Sequence, residues 1–425
     1  MTHNHRYSRW QWASLLFWAV WCLGHLTRWV PIPSSPSIRV YGHDVLLVVG
    51  LSAFLVFSQS FQKFLSIHLS KVRVHRDAGW MSLALTSSLI LAMAHFGITP
   101  LLYTFRLLTY VLAVAAYYFI WRKAKKSGKS WLIFFGCLNL TLAWMQYLIL
   151  PDTRFLSLWG YDDHLYRMIG PLFDPNYTGI LATWLAMVIL LIPIQNRIQK
   201  YSDWLSVGSY LLSLILTTGA VALSFSRASL LAFGVGIGAL FWQTQTSFNR
   251  WVGVGVLIFG CLFVIFAPKP AGEGVDLSRT SSIAARYDRY TAVATGWQKQ
   301  PVSFFIGTGL FSPATRPDTQ LQNHVFNGSQ PDSSVLFLLN NFGILGVFGV
   351  GFWILRNRAW LRNLSPTQRV LLLTLGAHSL FNNTLFEPFL FVYFWSIFVL
   401  SEKTEPTLQH SSHFPQHPGL ASEMS

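Results

Sequence analysis

The sequence predicts an all-α fold, a polytopic membrane protein with about twelve transmembrane helices and one long extracytoplasmic loop between the ninth and tenth spans. Of the 425 residues, 52% are hydrophobic and only 11% are charged, whereas a soluble domain has about 25% charged residues. Mean hydropathy is +0.42. The apolar residues fall into separate runs of about 20, the length that crosses a bilayer as a helix. Together these observations exclude a water-soluble enzyme, a disulfide scaffold and a disordered chain.

Twelve apolar runs are candidate spans. In chain order they cover residues 10–26, 45–61, 79–96, 101–121, 131–150, 178–194, 204–223, 228–242, 251–266, 334–355, 370–385 and 389–400. The eighth and the last are short, so a count of eleven also fits. The first run lacks the small-residue cleavage site of a signal peptide, and we therefore expect a retained first span.

The basic residues predict the orientation. The chain has 31 Lys and Arg residues against 16 Asp and Glu residues, an excess found both in nucleic-acid-binding proteins and in membrane proteins that follow the positive-inside rule. With the N-terminus in the cytoplasm, most of the 31 cations fall in the inner segments. Topology therefore accounts for the excess, and we expect no nucleic-acid partner. The sequence predicts a multi-pass protein with both termini in the cytoplasm.

The predicted outer loop, residues 267–333, is the one candidate for a sizeable element outside the membrane. Within it, Ser281–Lys299 has the pattern of an amphipathic helix. The polar residues 402–425 after the last span predict a disordered cytoplasmic tail. Residues 1–401 are then a single integral membrane domain.

Ser226 and Arg227 lie between two apolar runs on the predicted outer side. A serine hydroxyl and the free amides of a helix break, next to a permanent fork-shaped cation, favour an anion-binding site. An arginine at this depth that extends its side chain to lipid headgroups has the same pattern. Position alone does not separate the two interpretations.

Asp174-Pro175-Asn176 stands directly before the sixth predicted span. An acidic residue followed by proline is typical of a helix N-cap, so a structural role competes with a binding role for Asp174 and Asn176. Arg106 lies five residues into the fourth predicted span, about 7 Å deep. It either faces an outer cavity or extends to the headgroups.

Four further polar residues in the outer loop are candidates. Arg286 and Arg289 lie three positions apart and therefore on one face of the predicted loop helix, where solvated charges are also common. His324 and Asp332 precede the tenth span, and either can accept a proton at the outer surface. The centres of the predicted spans contain no Asp or Glu, which argues against an ion-coupled transporter.

Taken in order, these elements resemble the O-antigen ligase and O-antigen polymerase family of bacterial surface-polysaccharide assembly. The resemblance runs from Pro171 to Gly349. Its elements are Asp174-Pro175-Asn176, Ser226-Arg227, Arg286-x3-Tyr290, Pro301-x5-Gly307-x-Gly309 and Asp332-x10-Gly343-x2-Gly346.

The resemblance implies glycosyl transfer at the outer face of the inner membrane, from a glycan carried on undecaprenyl pyrophosphate. It implies that Arg227 and Arg286 bind the pyrophosphate, and that Ser226, Asp174, Asn176, Arg289 and Arg106 contribute to substrate binding. A glycan or lipid acceptor, membrane lipid and polysaccharide-assembly proteins are the expected partners. The activated donor makes a nucleotide, another cofactor or a protein-bound metal unnecessary.

The catalytic base is where the sequence departs from the ligase pattern. The ligases have a histidine at the position that Asp332 occupies, and His324 lies eight residues upstream. The departure favours a polymerase of lipid-linked repeats over a ligase that moves a finished glycan to a lipid or protein acceptor. A lipid-linked sugar flippase or other transporter, with arginines along its substrate path, is the alternative of a different class.

Overall fold

The computed structural model describes residues 9–28, 41–74, 76–124, 127–159, 161–191, 204–243, 247–266, 273–312, 331 and 333–400. These residues form sixteen α-helices, a few short 3₁₀ turns and isolated β-bridges, with no strand among them. The all-α prediction is confirmed for this part of the chain. The predicted tail 402–425 lies outside the described residues.

The helices follow the predicted spans closely. The first eight are Arg9–Cys22 (α1), Gly42–Phe57 (α2), Gln59–Val74 (α3), Arg76–Phe96 (α4), Thr99–Ala124 (α5), Ser127–Ile149 (α6), Pro175–Leu190 (α7) and Trp204–Leu223 (α8). The other eight are Arg227–Gln243 (α9), Ser247–Phe266 (α10), Ser281–Lys299 (α11), Pro301–Ile306 (α12), Ser334–Arg356 (α13), Arg358–Asn363 (α14), Pro366–Ser379 (α15) and Pro388–Leu400 (α16). Each predicted span overlaps at least one of these helices.

Among the residues that the structure describes, three helices are long and apolar enough to cross a membrane, namely α5, α6 and α13. A fourth span results if α2 and α3, which meet at an angle of 92°, are counted together. This bend falls inside the predicted second span, where Ser58 interrupts the helix and its Oγ accepts a hydrogen bond from the backbone N–H of Phe61 (3.3 Å). The apolar helices indicate a membrane protein, and the full set of twelve spans stays a prediction.

Helix α7 lies at the centre of the molecule. Every residue from Thr178 to Leu190 is buried, as expected for a helix that is apolar on all sides. It packs against α8, α9 and α15, and α9 packs along α15. At Gly236 of α9 a β-carbon would lie 2.5 Å from the side chain of Thr374 in α15, so the small residue allows the two helices to approach closely.

The amphipathic helix predicted at Ser281–Lys299 is α11, with the same bounds. After α12, Gly307 makes a turn with φ +79° whose ideal β-carbon would lie 2.3 Å from the backbone of Asn341. At the contact, α13 is interrupted by Gly343, with φ 63° and ψ −171°, a conformation that is essentially confined to glycine. The two glycines of the sequence pattern therefore join the end of α12 to the middle of α13, backbone against backbone.

Candidate active site

The break between α8 and α9 positions the first arginine. Ser224, Phe225 and Ser226 are fully buried, and Phe225 has a left-handed backbone with φ 46°. A bulky residue rarely adopts this conformation and does so where the surrounding structure imposes it. The turn ends with Arg227 as the first residue of α9.

A buried polar network connects the start of α9 to α7 and α15. The hydroxyl of Ser226 donates to the side-chain oxygen of Asn176 (2.7 Å). The hydroxyl of Ser229 lies 3.1 Å from the backbone oxygen of Asn176 and 3.1 Å from Nε2 of His378. Since both serines and His378 are buried, these bonds fix where α9 begins relative to its neighbours.

Asp174 caps α7, as the sequence predicts. One carboxylate oxygen, Oδ1, accepts the backbone N–H groups of Asn176 (2.6 Å) and Tyr177 (3.0 Å), and Pro175 is the first helical residue. Burial and the nearby carboxylate of Asp162 raise the pKa of Asp174 to about 6. The cap therefore places a partly desolvated acid beside Asn176 of the polar network.

The segment before α7 is held against the α8–α9 break. The backbone N–H of Met168 donates to the carbonyl of Leu223 (3.0 Å), and Nε of Arg167 donates to the carbonyl of Ser224 (3.0 Å). Arg167 is 6% exposed, and its Nη2 is enclosed without a hydrogen-bond partner. Burial and the neighbouring Arg279 lower the pKa of Arg167 to about 9.

Arg227 and Arg286 come together from α9 and α11. Nη1 of Arg227 donates to the carbonyls of Leu277 (3.4 Å) and Arg279 (3.2 Å), in the segment that leads into α11. Arg286 is half-buried, and burial and the charge of Arg227 lower its pKa. The two guanidinium groups are thus close enough to repel each other. The negative charge of Asp174 acts in the opposite direction and raises the pKa of Arg286.

The arginines near the α8–α9 break have the charge that is needed to bind an anion. Four arginines, 167, 227, 279 and 286, interact electrostatically with one another or with Asp162 and Asp174. Cations that crowd together in a partly desolvated site bind phosphate oxygens strongly. The arrangement can therefore bind a dianion and stabilise negative charge that grows there during a reaction.

The other predicted site residues lie elsewhere or outside the described residues. Nη2 of Arg106 forms an ion pair with Asp44 of α2 (2.7 Å), and Cζ of its guanidinium group lies over the rings of Tyr41 and Tyr103. Arg289 belongs to α11, and its side chain is outside the described part of the chain, as are all of His324 and Asp332.

His378 and Arg167 are two residues of the site that the sequence did not single out. His378 is a polar residue in the middle of the eleventh predicted span, 370–385, and an ionisable residue inside a span is a signal for a buried polar contact. Arg167 differs in no local feature from other cations of the outer segments. Only the fold brings them to the break between α8 and α9.

Comparison with known families identifies the region that contains both arginines of the predicted pair. Residues 212–351 match the O-antigen ligase family. This part of the chain is similar to an O-antigen ligase domain. The resemblance noted from the sequence is thereby confirmed. The comparisons with curated proteins and with solved structures give no significant match.

The O-antigen ligase domain runs from the second half of α8 into α13. It contains Arg227, Arg286 and the glycine contact between Gly307 and Gly343. Asn176 and His378 lie outside it and contact Ser229 of its first full helix, α9, and Asp174 lies outside it as the cap of α7. The site is thus built from the O-antigen ligase domain together with the helices that flank it in sequence.

Proposed function

We propose that the chain is a glycosyltransferase that polymerises oligosaccharide repeats linked to undecaprenyl pyrophosphate, at the outer face of the bacterial inner membrane. The O-antigen ligase domain supports an activity of the ligase and polymerase type. The observation that carries the proposal is that Arg227 begins α9 at the buried α8–α9 break and interacts electrostatically with Arg286 of α11. A pyrophosphate group matches two such cations in charge and in hydrogen-bonding geometry.

In the proposed mechanism, Arg227 and Arg286 bind the pyrophosphate of the donor. The acceptor hydroxyl attacks the anomeric carbon, the bond from that carbon to the phosphate oxygen breaks, and undecaprenyl pyrophosphate leaves. Negative charge on the leaving group grows as the bond breaks, so fixed cations in a low-dielectric site lower the barrier. The acceptor proton passes to a base, for which Asp332 and His324 are the proposed residues.

The other proposed substrate-binding residues differ in their contacts. Ser226 and Asn176 hold the start of α9, and therefore Arg227, in place. Asp174 lies close enough to Arg286 to affect its pKa. Arg289 lies one turn from Arg286 on α11, and Arg106 forms an ion pair with Asp44. We propose that both arginines bind the substrate at its edges.

The test is a surface-polysaccharide ladder from cells that lack the native gene and express variants at equal levels. Arg227→Ala and Arg286→Ala are each expected to reduce polymer about a hundredfold or more, because each removes a cation that stabilises the leaving group. Arg154→Ala is the matched control: this arginine lies in an outer segment, is 59% exposed and pairs with Asp152. Full ladders from both site variants contradict the enzymatic proposal.

A ligase is the second candidate, since the matching family is described as O-antigen ligase. The two activities leave different products when the gene is lost. Loss of a polymerase leaves single repeats on the surface, whereas loss of a ligase leaves long polymer on the carrier lipid. We expect single repeats, because Asp332 stands where the ligases have histidine.

A further inference from the structure

Three potential metal ligands converge beside the arginine cluster. Asp162, His164 and Asp174 each offer one ligating atom, and the three atoms lie within 4.8 Å of one another. Asp162 and His164 are two positions apart in a segment without helix, and alternate residues of an extended segment share a face. The backbone of this segment is fixed, since Thr153 donates to the carbonyl of His164 through both its N–H and its hydroxyl (2.9 Å each).

The imidazole of His164 gives the second, independent observation. Its side chain is buried, with 9% exposed, and Nε2 is enclosed without a hydrogen-bond partner. Buried polar atoms are nearly always satisfied, so an enclosed nitrogen of this kind calls for a ligand.

The carboxylates complete the donor set. Oδ1 of Asp174 is occupied by the two N–H groups of the α7 cap, and its second oxygen remains available. The carboxylates of Asp162 and Asp174 each place one oxygen within 4.8 Å of the other, a distance at which two negative charges repel each other. A divalent cation between them removes this repulsion, and the two carboxylates balance its charge beside Arg167 and Arg279.

We propose that Asp162, His164 and Asp174 bind one Zn²⁺ ion that fixes the segment before α7 to the start of α7. One imidazole nitrogen and two carboxylate oxygens suit Zn²⁺, which takes such ligands at about 2.0–2.2 Å and completes a tetrahedral site with water. The ion has a positioning role: it holds Arg167, three residues after His164, against the α8–α9 break. The proposed glycosyl transfer takes place at the arginines, and none of its steps uses the ion.

The experiment measures Zn²⁺ binding to the purified full-length protein in detergent, stripped with a chelator and then titrated with Zn²⁺ alone. We expect one ion per chain at this site and affinity at least about tenfold weaker in His164→Gln, Asp162→Asn and Asp174→Asn. Asn caps a helix as well as Asp does, so Asp174→Asn keeps α7 intact. Asp152→Asn, in the same outer segment, is the matched control and should bind as the wild type does.

Thermal unfolding gives a second readout. Zn²⁺ should raise the midpoint of the wild type and of Asp152→Asn, because a ligand that binds only the folded state stabilises it, and it should leave the three site variants unchanged. Histidines 410, 413 and 417 of the tail are common to all variants, so any binding there cancels in the comparison. Equal affinity in wild type and His164→Gln overturns the proposal, whatever the polysaccharide ladder of the arginine variants shows.

Discussion

Arg106 and Asp44 form an ion pair between α5 and α2 in which both side chains are mostly buried, with 20% and 15% exposed. Tyr110 donates a hydrogen bond to the other oxygen of Asp44. Removing one partner of such a pair leaves an uncompensated charge. We therefore expect Arg106→Met to lower the free energy of unfolding by about 3–5 kcal/mol, measured as loss of folded protein on heating in detergent.

The double variant Arg106→Met/Asp44→Leu is the control for this prediction. Replacement of both charges by apolar side chains of similar size is often neutral for stability, so the double variant should recover most of the loss. A single variant as stable as the wild type contradicts the prediction. The polysaccharide ladder of the double variant then shows whether Arg106 also contacts the substrate.

Single residues were predictable from sequence where their partners are near in the chain. The cap by Asp174 depends on the next three residues, and it is confirmed. The contact of His378 with Ser229 spans 149 positions, and that of Arg167 with Ser224 spans 57. No local pattern encodes such contacts, because they depend on how α9 packs against its neighbours.

Gly307 and Gly343 determine how closely the end of α12 packs against α13. Each has a positive φ, and an ideal β-carbon on either would lie 2.3 Å from backbone of the other segment. Gly343→Ala is therefore expected to destabilise the protein by at least about 1–3 kcal/mol, the usual cost of one strained backbone conformation. The measurement is the fraction of monodisperse protein that survives a temperature series in detergent.

Gly349→Ala is the matched control for Gly343→Ala. It lies in the same helix, α13, with open space around an added β-carbon, and alanine favours a helix over glycine by up to about 1 kcal/mol. We expect the control to be as stable as the wild type or slightly more stable. Equal loss in both variants contradicts a specific role for the α12–α13 contact.

The bounds and interruptions of the helices were likewise predictable only where their cause is local in the sequence. The bounds of α11 were predictable because its polar and apolar residues follow the helical period. The interruption of α13 at Gly343 was not, since Gly343 lies inside the tenth predicted span and the cause is the approach of Phe305 and Gly307. The end of α15 at Ser379, six residues before the predicted end of the eleventh span, comes with a turn at Asn382, whose N–H donates to the carbonyl of His378 (3.0 Å).

At the scale of the whole molecule, α9 connects two groups of polar residues. Arg227 begins α9 at the site, and Gln243 ends it about 25 Å away, where its side-chain oxygen accepts a hydrogen bond from Arg369 (3.4 Å). Arg369 also donates to the carbonyl of Arg362 (2.7 Å). The site end therefore carries the arginine cluster, and the opposite end carries the basic residues between α13 and α15.

This division leads to a prediction about topology. By the positive-inside rule, the end with Arg362 and Arg369 faces the cytoplasm, and the site end faces outward. Ser278 at the site end and Asn363 at the opposite end are both exposed. In a background with Cys22, Cys137 and Cys261 replaced by alanine, a membrane-impermeant maleimide should label Ser278→Cys in spheroplasts with intact inner membranes. Asn363→Cys should react only after the membrane is permeabilised.

The paired labelling separates the orientation of the protein from the chemistry of its site. The donor is expected outside, so an arginine site that faces the cytoplasm could not act on an exported glycan. Labelling of Asn363→Cys and protection of Ser278→Cys in the intact spheroplasts contradict both the orientation and the proposed polymerase. Labelling of Ser278→Cys alone, together with loss of polymer in Arg227→Ala and Arg286→Ala, places the required arginines on the side where a lipid-linked glycan is presented. The positive charge of the chain then has two separate physical roles, since one set of cations fixes the orientation and the other binds the substrate.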